Sequence, residues 1–203
     1  MVFINPLLFL LVIVIFSCSR ERGKEHDEPE ISSSSSQELN YRTVEIGSQV
    51  WFAENINDKP SSGVSWCYGE IESYCDEYGR LYDWEAAKSV CPDGWKLPSK
   101  DDYDKLLDYV ESKNEGYSAG SLLKSVKDWG SHGGSDTYGF SALPGGFRAS
   151  NGVFSSREAR AYFWSSSEAD SQNAYYRWIG EDTKLYFSYV KKTEGYSVRC
   201  VKG

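Results

Sequence analysis

The sequence predicts an α+β domain: an N-terminal hairpin, two helices, long loops and a terminal antiparallel sheet. Three observations predict it. Two β-rich runs, residues 41–46 and 49–53, flank Gly47-Ser48 as hairpin arms flank a turn. Apolar residues at helical spacing follow over residues 81–90 and 103–110. Short aromatic, β-rich runs then fill residues 161–164, 174–179, 184–189 and 196–201.

The chain opens on a different signal. An uncharged apolar run, residues 6–16, leads into Ser17-Cys18. A small residue before a Cys that closes a short apolar stretch resembles a bacterial lipobox, although no Lys or Arg lies within residues 1–5. The run is shorter than the ~20 apolar residues of a membrane-spanning helix. Residues 1–17 are therefore expected to be an export signal, and Cys18 the lipidated N-terminus. Residues 18–38 read as a tether. Charge dominates residues 20–28, and a Ser run, Ser32 to Ser36, follows. Such a segment has no apolar surface to bury. As a coil, about 20 residues reach roughly 25 Å, enough to lift a domain off a lipid headgroup layer.

Residues 39–203 read as one domain. Within it, residues 55–79 are expected to be irregular. Residues 81–90 form a helix, with Leu81, Trp84 and Ala87 on neighbouring turns, ended by Cys91-Pro92-Asp93-Gly94. Ser99 caps a second helix that buries Tyr103, Leu106, Leu107 and Val110. Asp101 and Asp102 sit in its first turn, where carboxylates suit the helix dipole, so they are read as capping groups and not as an acid–base pair. The Gly- and Ser-rich stretch 115–144 reads as long loops around a Leu122-Leu123 patch and Trp129.

Composition narrows the function. The net charge of −8 disfavours nucleic acid or an anionic lipid surface as partner. Setting Cys18 aside, four of the five cysteines remain: Cys67, Cys75, Cys91 and Cys200. An even number in an exported chain suggests two disulfides, with three connectivities open. Cys67–Cys75 with Cys91–Cys200 is favoured: the first pair is close in sequence, and the second ties mid-domain to the last strand. No CxxC spacing exists, and His26 and His132 stand apart from the cysteines, so no metal site and no cofactor is expected.

Six strings then align with a known pattern. They are residues 43–55 (TVEIGSQVWFAEN), 78–87 (YGRLYDWEAA), 91–99 (CPDGWKLPS), 138–148 (YGFSALPGGFR), 163–167 (FWSSS) and 197–201 (SVRCV). Together they closely resemble the Fibrobacter succinogenes major paralogous domain family, over about residues 41–202. The resemblance implies a C-type lectin-like fold, in which a helix Cys pairs with a Cys of the last strand, here Cys91 and Cys200. The Glu-Pro-Asn, Gln-Pro-Asp and Trp-Asn-Asp tripeptides of calcium-dependent sugar-binding members are absent. Glu168, Asp170, Glu181 and Asp182 are read as solvated loop charges, not calcium ligands.

These readings favour a lipid-anchored surface module that binds or adheres, with carbohydrate or an envelope protein as partner. Aromatic rings stack on the apolar faces of sugars and anchor interfaces. The candidate ligand-binding residues are Trp129, Tyr138, Tyr162, Trp178, Tyr186 and Tyr189. Strand alternation should separate Tyr175, Arg177 and Ile179 from Tyr176 and Trp178. One alternative is a structural lipoprotein docking on an envelope complex. The other is an enzyme like the formylglycine-generating enzymes, disfavoured because the four domain cysteines are expected in disulfides and no His is placed to activate a nucleophile. Ser19, in place of Asp after Cys18, points to the outer membrane.

Overall fold

In the computed structural model, the described residues are 40–114, 116–182 and 184–203. The expected export signal, Cys18 and the expected tether lie outside them.

The domain is α+β, as expected. Strands β1 (Thr43–Ile46) and β2 (Gln49–Phe52) form the opening hairpin, in register from Thr43–Phe52 to Ile46–Gln49. Gly47 holds the turn at φ 64°, and a Cβ there would lie 2.9 Å from the Tyr109 ring, so glycine is required twice over. After β3 (Ser65–Trp66) and a 3-10 turn (Tyr68–Glu70) comes α1 (Glu72–Tyr78). This corrects the irregular reading of residues 55–79: Cys75 sits inside a helix, bridged to Cys67.

The next helix begins later than its periodicity suggests. Leu81–Tyr82 form β4, paired with β3, and α2 spans Trp84–Ser89. Asp83 sets the boundary, its Oδ1 accepting from the Ala86 N–H at 2.8 Å. After β5 (Trp95–Lys96), Ser99 and Asp102 close a reciprocal capping box on α3 (Lys100–Lys113). That helix buries Tyr103, Leu106 and Val110. The expected long loops contain α4 (Ala119–Leu123), which buries Leu122 and Leu123.

Strands β6 (Gly145–Arg148) and β7 (Phe154–Arg157) were not foreseen. Gly145-Gly146 and Ser155-Ser156 carry little strand propensity; tertiary pairing makes them strands. Beyond them lie β8 (Ala161–Glu168), β9 (Asn173–Ile179), β10 (Leu185–Lys191) and β11 (Val201–Lys202). The expected strand over 196–201 contracts to β11; its earlier residues make only isolated bridges, Tyr82–Tyr196 and Phe163–Ser197. Strand orders are β1-β2-β11-β5 and β10-β9-β8-β6-β7.

Two apolar cores result. One gathers Trp51, Tyr103, Leu106, Phe140, Phe163 and Ile179, beneath α3. The other gathers Phe52, Tyr82, Trp84, Tyr162, Trp164 and Tyr196, beneath α2. Two indoles lock the second core: Trp84 Nε1 donates to Ser165 O at 2.8 Å and Trp164 Nε1 to Tyr82 O at 2.7 Å. Cys91–Cys200 fastens the exit of α2 to the residue before β11. Both favoured disulfides are thus formed.

Candidate ligand-binding surface

Alternation along β9 separates the two sets as expected, but neither set is wholly exposed. Tyr176 and Trp178 pack toward the second core, while Ile179 belongs to the first and Arg177 is buried on the same side. On the Trp178 face, cross-strand neighbours stack. Tyr186 lies on Trp178 at 4.2 Å between ring centroids, with planes 15° apart. Trp178 continues to Tyr162 (6.3 Å, 26°) and Tyr162 to Tyr196 (5.2 Å, 26°). The result is one near-parallel stack from the core to strand β10 at the sheet edge. Tyr186 ends it. Among the described residues no further ring or cation stacks on Tyr186.

Beside this stack is a cleft of about 450 Å³, between the turn joining β7 to β8 and the turn joining β9 to β10. Trp178 is its aromatic wall, and Arg160, Glu181 and Asp182 are its charged rim. Arg160 also lies against the indole, its guanidinium carbon 4.9 Å from the ring centre. A hydrogen bond to Tyr162 Oη, then the charges of Tyr162, Asp182 and Glu181, raise the Arg160 pKa, so it stays cationic. Asp182 accepts from Tyr186 Oη, and that bond raises the Tyr186 pKa. A Cβ on Gly180 would meet Trp178 at 2.9 Å, so only glycine lets the turn close on the indole. Ser156, in the cleft wall, and the nearby Glu158 both hold φ 65°, strain of the kind that collects at ligand sites.

The other candidates are placed differently, and two need correction. Trp129 is 2% exposed and Tyr162 6% exposed. Trp129 Nε1 donates to Ala142 O at 3.1 Å and its ring carries Lys124 Nζ at 4.4 Å. Both rings are core, because each fills space between packed elements. Tyr138 is half-buried, packed edge-on against Tyr109 at 6.0 Å. Tyr189 is 59% exposed and lies on the opposite face of β10, edge-on to Tyr175, which itself stacks on Phe187 at 4.6 Å. Arg177 covers the Phe187 ring and pairs with Asp104.

A wider cleft of about 550 Å³ was not legible in the sequence, because separate segments build it: Tyr41-Arg42, Glu54 to Asn57, the end of α1, and loops 125–128 and 136–143. None of the six candidate aromatics lines it. Asp128, Asp136 and Ser141 in its wall all have positive φ. Asp136 is engaged internally, accepting from the Ser141 N–H at 2.7 Å.

Of the loop carboxylates discounted as calcium ligands, Glu168, Asp170 and Asp182 have protein partners. Asp170 accepts from Asn173 Nδ2 and the Gln172 N–H, and Glu168 from Lys192 Nζ. His132 is exposed, its Nδ1 3.3 Å from Ser131 Oγ.

Comparison with curated proteins and with solved structures returns no match. A family model does match, over residues 44–202, which carries both cores, both disulfides and the stack ending at Tyr186. The chain belongs to the Fibrobacter succinogenes major domain family.

Proposed function

We propose that this chain is a non-catalytic, lipid-anchored binding module of the cell envelope that takes carbohydrate at the cleft walled by Trp178, beside Tyr186. In this reading Cys18 carries the anchor, the membrane is the outer one, and the domain is C-type lectin-like. The observation that carries the binding reading is the aromatic stack terminating at Tyr186, beside a rim of Arg160, Glu181 and Asp182. A pyranose has an apolar C–H face and a polar hydroxyl edge. The open side of Tyr186 suits the first, and the planar rim groups suit the second. A rim with one cation and two carboxylates favours a neutral sugar over an acidic one. The non-catalytic reading is supported by Cys67, Cys75, Cys91 and Cys200 all being in disulfides, which leaves these residues no thiolate nucleophile.

The test is co-sedimentation of the detergent-solubilised full chain with cellulose, xylan and peptidoglycan, with calcium and with chelator. Retention on one of them, unchanged by chelator and weakened by Trp178→Ala, is the expected result. Retention that chelator abolishes would replace this cleft with a metal-dependent site. Absence of retention on all three would favour docking on an envelope protein.

A further inference from the structure

Strand β10 is the longest sheet edge among the described residues. It has seven residues, Leu185–Lys191, and stands at the end of the order β10-β9-β8-β6-β7. The other edges of the two main sheets are β1 and β7, of four residues each, and β5, of two. Strand β7 is blunted further: Ser156 within it holds φ 65°, and Arg157 ends it. Sheet edges are commonly shortened, kinked or charged in this way, which prevents pairing with another chain. Strand β10 lacks these devices until its last residue. It has no Pro, no positive φ and no register shift against β9, from Leu185–Ile179 to Lys191–Asn173. Six uncharged residues precede Lys191.

Alternate residues of an antiparallel edge strand turn their N–H and C=O groups away from the neighbouring strand. Among the described residues, Leu185 to Val190 make no backbone hydrogen bond to any segment but β9. A row of such unmet donors and acceptors is a template for strand addition. The side chains agree with this. Tyr189 stands on the edge 59% exposed, although Tyr175 and Phe187 form an aromatic row beside it.

The strand is complementary to itself. An antiparallel copy turned about Ser188 pairs the whole of β10, because Ser188 is its midpoint. Centring on Phe187 or Tyr189 would leave two residues of β10 unpaired. Directly opposite residues share a face, so Phe187 meets Tyr189 of the copy, Tyr186 meets Val190, and the small Ser188 meets itself. Charge fits as well. Leu185 comes opposite Lys191 of the copy, and the turn entering Leu185 carries Glu181. Neither Glu181 nor Lys191 forms an ion pair among the described residues. Two-fold pairing brings these opposite charges together twice. We propose that β10 pairs with β10 of a second copy of this chain, in antiparallel register about Ser188, and joins two five-stranded sheets into one. The copy's Lys191 then stands beside the Glu181 rim of the Trp178 cleft. The pairing itself does not depend on what that cleft binds.

The experiment is sedimentation of the full chain in density-matched detergent over a range of concentrations, joined to cysteine cross-linking. The parent is expected to reach the mass of two chains. Tyr189→Lys, a change at an exposed position, should keep the Tm within a few degrees and sediment as one chain. Glu181→Lys and Lys191→Glu should each weaken pairing about fivefold, and the double variant should restore it. Directly opposite residues lie about 4.5–5.5 Å apart between Cα atoms, within the roughly 4.4–6.8 Å that a disulfide spans. Ser188→Cys should therefore form a disulfide-linked dimer under mild oxidation. Val190 and its copy would be four residues out of step, more than about 13 Å apart, so Val190→Cys should cross-link no more than the parent. A parent that stays one chain at every concentration would overturn the proposal and leave the edge to an extended segment of another protein. A dimer that Tyr189→Lys leaves intact would overturn it too. So would Val190→Cys cross-linking as readily as Ser188→Cys, or a charge-swapped double variant no tighter than the single ones.

Discussion

Arg199 and Asn55 are hydrogen-bonded across 144 residues of chain, with Arg199 Nε and Nη2 both donating to Asn55 Oδ1, at 3.1 and 2.8 Å. Asn55 Nδ2 in turn donates to Tyr78 O at 2.7 Å, which ties the end of α1 to the same node. The remaining Arg199 donors reach Phe52 O, Phe140 O and Ser141 O. The side chain is 0% exposed, and no carboxylate among the described residues pairs with it. Burial pulls its pKa down to about 9, so at neutral pH it remains a cation solvated by oxygen dipoles.

Removing that cation leaves several buried oxygens without donors. Arg199→Met is expected to cost about 3–5 kcal/mol. Asn55→Ala should cost about 2–3 kcal/mol, since it strips one acceptor from a buried charge. Urea denaturation followed by near-ultraviolet circular dichroism measures both. Additive losses in the double variant would contradict a single node, because coupled neighbours share one penalty.

Gly79 is the backbone condition for that node. It holds φ 76°, and a Cβ there would lie 2.6 Å from Asn55 Cβ and 2.8 Å from Ile56 O. Gly79→Ala is expected to cost about 2–4 kcal/mol through strain and overlap together. Gly94 also has positive φ, 80°, but nothing lies within 4 Å of its added Cβ, so Gly94→Ala should cost only the strain, about 1–2 kcal/mol. The difference in urea midpoint between the two variants reads the close approach alone.

The disulfides should contribute unequally. Cys91–Cys200 closes a separation of 109 residues and Cys67–Cys75 one of 8. In the chain-entropy model these correspond to roughly 4–5 and 2–3 kcal/mol. Replacing each pair by serines and comparing denaturation midpoints checks the order. A larger loss from the short loop would place its value in holding α1 rather than in loop closure.

Asp102 gives a pH dependence. Burial alone would raise its pKa, but the Ser99 N–H and Oγ hydrogen bonds and the Lys96 ammonium hold it below the usual carboxylate range. A depressed folded pKa means the stabilisation is complete above the unfolded value, about 3.9, and is lost as pH falls through the folded one. Asp102→Asn should therefore cost about 1–2 kcal/mol at pH 7, and the gap should narrow below pH 4. A gap that stays constant down to pH 2 would show that the carboxylate charge does not contribute.

How much the sequence revealed follows from how local each signal is. Ser99 with Asp102 and the Gly47 turn act within a few residues, so the α3 cap and the opening hairpin were readable. Asp83 carries the same kind of signal, and its cap overrides the apolar spacing that places a helix start at Leu81. Helix α1 was not readable, because a helix of seven residues depends on the Cys67–Cys75 bridge and on packing. Strands β6 and β7 were hidden by Gly and Ser, whose pairing only tertiary contacts decide. Among the aromatics, chain position could not tell Tyr162, inside the stack, from Tyr186 at its end; that depends on β10 being an edge strand. The Arg199 node was invisible for the same reason, since its partners, Phe52, Asn55, Phe140 and Ser141, come from distant segments.

The most direct test of the central claim is a depletion isotherm of the full chain on insoluble cellulose, xylan and peptidoglycan, comparing Tyr186→Ala with Tyr117→Ala. Tyr117 is a 68% exposed ring, and no ring contact ties it to the stack, so its loss controls for general stickiness. The account predicts saturable binding to one polysaccharide, weakened about tenfold by Tyr186→Ala, as loss of one stacking ring implies, and unchanged by Tyr117→Ala. Binding that Tyr186→Ala leaves intact, or no binding to any of the three, would contradict it.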